Sequence, residues 1–425
     1  MPLHEGEIWG EITQASLERL LERKGVSREE RGTMFRLNLS EEEKAKIEDW
    51  RPEFANFAVT KETNGRIARG IADLNPLYID EAYARRSIWG AMLAPPATLC
   101  WTETVNGATD GFPGCHTIWR GVEYEWERPL FAGAKIGSRS YLTDAEIVQS
   151  EFAGGDAAVQ RYETEAYTMD GGFIGSYRTS WHRFSRKKAK SSKKYAGIER
   201  HEWTDDELDA VWAEYKSQNL ANRRGDEPLY HEDVEVGFEV PHIIKGPITL
   251  TSKIAFEMAF GAGGWFVGHE LAMQLWENAP RLPIKNEENV PEPPVAIHWT
   301  NERCQKYLGM PGAYEAGFER LNWFTQLLMS WFGDHGMLRN LRLAFKGFHW
   351  QGDAVRLFAT VTGKRVEGDR HLVDLDIWTM SHPRGDRTSE GTAVVELPSR
   401  EAGNAVWTAT DAVDAVDAVD DGTAT

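Results

Sequence analysis

Cysteine is scarce in this chain: three residues in 425, Cys100, Cys115 and Cys304, odd in number and far apart. That excludes a disulfide framework and a cysteine-based zinc pattern. Long apolar runs are missing too, so no segment reads as a membrane-spanning helix. The opening residues, from Met1 to Glu7, carry neither the basic nor the apolar block of a signal peptide, and the expected location is the cytoplasm. Positive charge is in deficit, with 48 Lys and Arg against 66 Asp and Glu and a formal net charge of −18. Nucleic acid requires a basic face and is excluded as the main partner, whereas a local cationic pocket is not. What is plentiful is large apolar side chain: 41% of residues are hydrophobic, with 17 Trp and 18 Phe. Such a chain can build sizeable cores, and its length suits two or three domains.

The two halves of the sequence echo each other. Tyr78-Ile-Asp80-Glu81 leads through Trp89-Gly90 to an apolar run past Leu99 and Trp101. His298-Trp-Thr300-Asn301-Glu302 leads through Gly309-Met-Pro-Gly312 to a second apolar run with Leu321 and Trp323. The offset from Tyr78 to His298 is 298 − 78 = 220, and Gly133 answers Gly352 at 352 − 133 = 219. Tyr167-Thr-Met169 then answers Trp378-Thr-Met380 at an offset of 211. Matches in order at near-constant spacing indicate one fold written twice.

Each copy reads as a helical region, a loop, an apolar helix and then long alternating strands. Leu321, Phe324, Leu327, Leu328 and Trp331 recur at helical spacing. Val355–Val361 and Leu372–Trp378 read as strands, separated by tight turns such as Asp170-Gly-Gly172. The expected divisions are 1–184, 185–228, 229–400 and 401–425. The second is a linker with the basic run Ser185–Lys194, open either to a solvated role or to a phosphate-binding one, and an acidic helix that Thr204 and Glu207 can cap. The last, with its Asp-Ala-Val repeat, is expected to be disordered.

The most informative segment is Gly70-Ile-Ala-Asp73-Leu-Asn75-Pro76-Leu-Tyr78-Ile-Asp80. Asp, Asn and Pro so close together make a turn able to project a carboxylate from an apolar surface. It resembles the signature of MaoC-like, type-2 enoyl-CoA hydratases, G-D-x-N-P-x-H-x-D. The first half is also similar to the N-terminal domain of fungal fatty-acid-synthase-like dehydratases. The second is similar to their C-terminal dehydratase domain through His298, the Gly309–Gly312 turn, Gly317 and Gly352-Asp353. The resemblance implies an α+β double hot-dog: two tandem bent antiparallel sheets, each wrapped around a central helix. It also implies a hydro-lyase that interconverts a trans-2-enoyl and a 3-hydroxyacyl thioester of coenzyme A or acyl carrier protein, here with a bulky or unusual acyl group. No metal or other cofactor is implied, and a second copy or a partner hot-dog subunit is an expected companion.

The family pairs an Asp and a His from one loop to activate water, and helix-terminal N–H groups polarise the thioester carbonyl. Here the pair is divided. The first copy keeps Asp73 but has Tyr78 in place of the histidine, and a phenol is a poor base at neutral pH. The second keeps His298 but places Thr300 where the carboxylate two residues on would be. The candidate catalytic residues are therefore His298, Asp73 and Tyr78, and the candidate substrate-binding residues are Asn75, Asp80, Asn301, Gly312 and Gly317. Plainer readings stand beside these: an Asx-turn for Asp73 and Asn75, packing for Tyr78, a satisfied buried imidazole for His298. Two other functions also stay open. One is a non-catalytic acyl-CoA-binding or partner-completing subunit, which the divided pair favours. The other is a thioesterase using Glu319.

Overall fold

The alternating segments of both copies pair into one antiparallel sheet of ten strands. The computed structural model describes residues 3–26, 56–102, 106–168, 171–192, 194–195, 197–260, 268–278, 280–403 and 405–407. The first copy supplies β1 (Asn56–Ala58), β2 (His116–Trp126), β3 (Lys135–Ser150), β4 (Gly155–Thr168) and β5 (Phe173–Phe184). The second supplies β6 (Glu239–Lys245), β9 (Met337–Phe345), β10 (Ala354–Glu367), β11 (Arg370–His382) and β12 (Arg387–Leu397). A small hairpin of β7 (Ile284–Lys285) and β8 (Pro291–Glu292) lies outside this sheet.

The strand order, β1-β3-β4-β5-β2-β9-β12-β11-β10-β6, reads as one five-strand pattern followed by its reversal. The halves meet where β2 pairs with β9, from Gly121 opposite Ala344 to Glu125 opposite Asn340. The duplication persists in detail. A bulge between Leu142 and Asp144 has its counterpart between Val361 and Gly363. Isolated bridges join Leu93 to Phe131 in one copy and Tyr314 to Trp350 in the other. Bulges add local twist and bend, which lets each sheet curl round what it covers.

The helices are α1 (Gln14–Leu21), α2 (Lys61–Ile71), α3 (Pro76–Ile79), α4 (Glu81–Arg86), α5 (Asn106–Thr109), α6 (Arg186–Ser192), α7 (Asp205–Glu214), α8 (Leu250–Phe260), α9 (His269–Asn278), α10 (Asn301–Leu308) and α11 (Gly317–Phe332). Helix α11 is the central helix of the second copy and packs on β6, β9 and β10. Every residue from Phe318 to Phe332 except Ser330 is buried. That all-round burial goes with its near-continuous apolar sequence. The first copy departs from expectation. Its apolar run past Leu99 forms a 3-10 turn, Pro96–Thr102, and the four-residue α5. Pro95 and Pro96 remove backbone donors at its start and Gly107 weakens its end, so a long α-helix is not supported.

Helices α2 and α8, equivalent in the repeat, pack against each other. A Cβ on Gly70 would come within 2.9 Å of the Ala255 carbonyl, so only glycine lets them approach this closely. The segment 185–228 is built into the fold rather than left as a bare linker. Its basic run forms α6, and Val211 of α7 is buried. Thr204 and Glu207 form the reciprocal capping box, and Glu214 receives both arms of Arg356 at 2.6 Å. In the segment 401–425, Trp407 packs near Trp89 and Phe131 at ring separations of 6.0 and 5.9 Å. The Asp-Ala-Val repeat lies outside the described residues. The three cysteines are free and buried. Among the described residues no helix is long and apolar enough to cross a membrane.

The β9–β12 pairing is close enough to test. Gly391 lies opposite Leu343, and a Cβ there would collide with the Arg342 carbonyl. Gly391→Ala is expected to destabilise the protein by about 2 kcal/mol or more, as overpacking in a rigid core does. A lowered urea midpoint with unchanged m-value would register it; an unchanged midpoint would show that the strands can spread.

Candidate active site

The two loops at corresponding places in the repeat have diverged into different roles. In the first copy, α2 ends on Ala72 in the left-handed region at φ 55°, and the chain turns through Asp73. Asp73 accepts from the Asn75 N–H at 3.1 Å, and Asn75 caps α3 by accepting from the Leu77 N–H at 3.0 Å. The Asx-turn reading of this loop therefore describes what it does locally. Second-copy residues then pin it. Lys245 Nζ donates to the Ile71 carbonyl at 2.8 Å, and Gln326 of α11 donates to the Ala72 carbonyl at 3.1 Å. Arg223 donates to Asn75 at 2.7 Å and to Asp334 at 3.2 Å. Asp334 also accepts from the Tyr83 hydroxyl at 2.5 Å.

Tyr78 has no exposed surface, and its hydroxyl points at the Met329 sulfur, 2.6 Å away. This corrects its candidacy as a catalytic group: a phenol packed against the central helix has no route to substrate. Burial raises its pKa well above the ordinary value. Burial also raises that of Asp73, opposed by Lys245, the Asn75 N–H and Arg223. Asp80 is exposed and caps α4 through the Tyr83 N–H at 3.0 Å. Thr300 does the same for α10 through the Arg303 N–H at 3.4 Å. The residue that replaces the expected carboxylate thus retains its capping duty.

The second loop keeps an available imidazole. His298 closes a 3-10 turn, Pro294–His298, before α10. Its Nδ1 lies 2.8 Å from the Tyr314 carbonyl oxygen. A carbonyl can only accept, so Nδ1 carries the hydrogen and Nε2 has a free lone pair. His298 as a residue is half-buried. Burial pushes its pKa down to about 4, against the smaller opposing effect of the Tyr314 bond. It is therefore neutral at physiological pH.

Asn301 accepts from the Ala313 N–H at 3.0 Å and shapes the turn ahead of α11. Gly312 leaves room for it, since a Cβ there would stand 2.5 Å from the Asn301 oxygen. Gly317 opens α11, which no side chain caps. Its missing Cβ keeps the helix start close to the Trp119 ring, 3.3 Å from where that atom would be.

Asp73 and His298 do not form a pair. Asp73 answers to Lys245 and Arg223, whereas His298 answers to Tyr314, Lys253 and Glu315. Between the two sets lies Glu319 of α11, within electrostatic reach of both Lys245 and Lys253. Sequence reasoning missed a buried carboxyl that meets the His298 loop. Glu257 of α8 accepts from the indole N–H of Trp299, the residue after His298, at 2.5 Å. Its other oxygen is buried without a partner, and burial raises its pKa to about 7. Lys253, one turn earlier, donates to Gln351 at 3.0 Å and is pushed down to about 8 by burial. The available signal was Lys253 and Glu257 four residues apart inside the apolar run from Leu250 to Phe260. His349 packs between Thr388 and Glu315, its Nδ1 3.2 Å from the Glu315 carboxylate, and Arg320 Nε donates to Glu315 at 3.0 Å. His269 is exposed at the start of α9.

Two curled sheets, one enclosing a long central helix, joined edge to edge through β2 and β9, constitute the α+β double hot-dog fold. Residues 53–174 match the family model described as FAS1-like, dehydratase domain region. A solved structure described as a MaoC-like dehydratase is 14% identical, with 81% of this chain and 96% of that chain covered and a TM-score of 0.55. A MaoC-like dehydratase from Phytophthora capsici is 10% identical, covering 82% and 95% at a TM-score of 0.48. A conserved hypothetical protein from Mycobacterium tuberculosis, described as a double hot-dog, is 10% identical, covering 82% and 94% at 0.48. No curated protein matches the sequence significantly. The resemblance carried by Asp73, Asn75, Pro76 and Asp80 to MaoC-like hot-dog dehydratases is borne out.

Two measurements probe this geometry. Asn75→Ala removes both a helix cap and an Arg223 contact, and is expected to lower stability by about 1–2 kcal/mol in denaturant titration. The second uses pH. A histidine whose folded pKa lies near 4, below its ordinary 6.5, binds fewer protons folded than unfolded between those values, so its contribution to stability falls as pH drops through that window. Glu257, raised to about 7, acts with the opposite sign, so the informative quantity is a difference. His298→Asn is expected to lose less stability than the parent between pH 6.5 and 4.5. Equal losses would mean that the imidazole is solvated.

Proposed function

We propose that the chain is an acyl-thioester hydro-lyase whose chemistry belongs to the second copy, with a trans-2-enoyl-CoA and a 3-hydroxyacyl-CoA as its substrate pair. The observation that carries this reading is His298: a neutral imidazole, fixed in tautomer by the Tyr314 carbonyl, with its other nitrogen free to take a proton. In hydration, His298 Nε2 removes a proton from water as the oxygen bonds to carbon 3. Carbon 2 receives a proton from Glu257, whose carboxyl holds one part of the time near neutral pH. The resulting imidazolium and carboxylate reset by proton exchange through water. Dehydration runs the same steps backwards, with Glu257 as base and His298 as acid. The uncapped start of α11 at Gly317 aims backbone N–H groups and the positive end of a 16-residue helix at the thioester oxygen.

Glu257 thus takes the part that Asp73 was expected to play, from helix α8 rather than from the histidine's own loop. Asp73, Asn75 and Tyr78 serve packing between the copies. A thioesterase built on Glu319 is less well supported. Burial and the neighbouring Glu315 and Glu257 raise its pKa well above normal, which keeps it protonated when hydrolysis would need the carboxylate.

Loss of the enoyl-thioester ultraviolet band with a panel of enoyl-CoAs, aromatic and steroidal ones included, tests the reading. The parent is expected to turn over at least one member. His298→Ala should lower kcat/KM by about 10²–10⁴-fold, the usual worth of a general base. Glu257→Gln should also lower it, with loss of the limb near pH 7, whereas Tyr78→Phe should stay within a few-fold of the parent. Binding of acyl-CoA without turnover by any panel member would instead identify a binding or partner-completing subunit.

A further inference from the structure

An unmatched positive charge lies beside the His298 loop. Strand β2 begins at His116, directly opposite Phe184 at the end of β5, and the two rings meet edge to face at 5.2 Å. Two residues beyond Phe184, Arg186 opens α6. That helix docks on α10, the helix leaving the His298 loop, with Lys190 Nζ donating to the Lys306 carbonyl at 2.9 Å. Docking places His116 within electrostatic reach of both Arg186 and His298. The first copy, through His116, and the segment that follows it, through Arg186, thereby contribute side chains near the second copy's site.

Both carry an unspent nitrogen. Arg186 Nε and His116 Nε2 are buried with no hydrogen-bond partner. Among the described residues, the polar groups acting on Arg186 are Arg183, Cys115 and Tyr307, none of them a carboxylate. Arg183 spends both terminal nitrogens on the carbonyls of Gly107, Asp110, Gly111, Phe112 and Cys115, leaving only its Nε without a partner. Lys188 is neutralised by Glu11 at 2.8 Å. Arg186 is half-buried, and a guanidinium cannot shed its proton, so even partial burial without an anion is costly. Among the described residues no acid meets this charge, which points to an anion supplied from outside.

We infer that Arg186 and His116 form a subsite for a carboxylate carried on the acyl group, so that the preferred substrate is a carboxy-substituted enoyl or 3-hydroxyacyl thioester. This rests on the hydro-lyase reading of His298. The pantetheine arm holds the phosphates of coenzyme A far from the thioester, so an anion close to His298 belongs to the acyl side. Arginine suits a carboxylate because its planar fork can grip both oxygens.

The test compares ω-carboxy trans-2-enoyl thioesters of increasing length with their methyl esters, for the parent, Arg186→Met and Arg186→Lys, with thermal midpoints confirming folding. The parent is expected to favour the best carboxylate by tenfold or more in kcat/KM. Arg186→Met should collapse that ratio towards one, and Arg186→Lys should restore part of it. The discrimination should persist with N-acetylcysteamine thioesters, which carry no phosphate. Equal use of acid and ester by the parent, or a ratio unmoved in Arg186→Met, overturns the proposal. An Arg186 effect seen only with coenzyme A thioesters also overturns it, by assigning the charge to phosphate. If nothing is turned over, the hydro-lyase reading fails. The subsite is then decided by calorimetric binding of the saturated ω-carboxy thioester against its methyl ester, with the same tenfold criterion and the same variants.

Discussion

The pairing of β2 with β9 is the constraint on which the rest of the molecule depends. Two edge strands that would otherwise present open backbone donors and acceptors satisfy each other from Gly121 to Glu125. The two curled sheets are thereby fixed in one orientation, with their inner faces and the helices beneath them in register. Helix α2 of one copy then meets α8 of the other, and α6 of the first reaches α10 of the second. The Asp73 loop could not hold its observed partners without that seam, because Lys245 and Gln326 of the opposite copy pin it.

Duplication allowed the copies to divide their duties. In the first, the Asp-x-Asn-Pro turn became a clamp: Lys245, Arg223 and Gln326 tie it to the second copy, and Tyr78 fills the space a histidine would need. In the second, His298 kept the imidazole, held by the Tyr314 carbonyl, and a helix carboxyl, Glu257, meets its loop at Trp299. The capping residues show the same history on a smaller scale. Asp80 and Thr300 occupy equivalent positions and cap equivalent helices, but only one carries a charge.

Burial sets the electrostatics between the two loops. Lys245, Lys253, Glu257 and Glu319 are all buried around α11, where low polarisability penalises each charge. Both lysines are pushed down to about 8 and both glutamates are pushed up. Groups so adjusted exchange protons near neutral pH, which acid–base chemistry needs and a purely structural core does not. The proximity of this cluster to His298 makes it the natural proton reservoir for the proposed reaction.

The sequence by itself determined the duplication, the strands of each copy and the central helix of the second, and it singled out His298 as a candidate. These are read from periodicity and spacing, which are local properties: Leu321 to Trp331 on one helix, offsets of 220 and 219 between copies. It also showed that Asp73 and His298 lie on different loops. Only the tertiary structure decided that they do not meet, that Tyr78 is sealed against Met329, and that Glu257 reaches Trp299. It also brought Arg186 and His116 to the His298 loop from the other copy. Each of these depends on which surfaces face one another across the β2–β9 seam, and contacts between residues 40 to 250 positions apart leave no periodic trace in the chain.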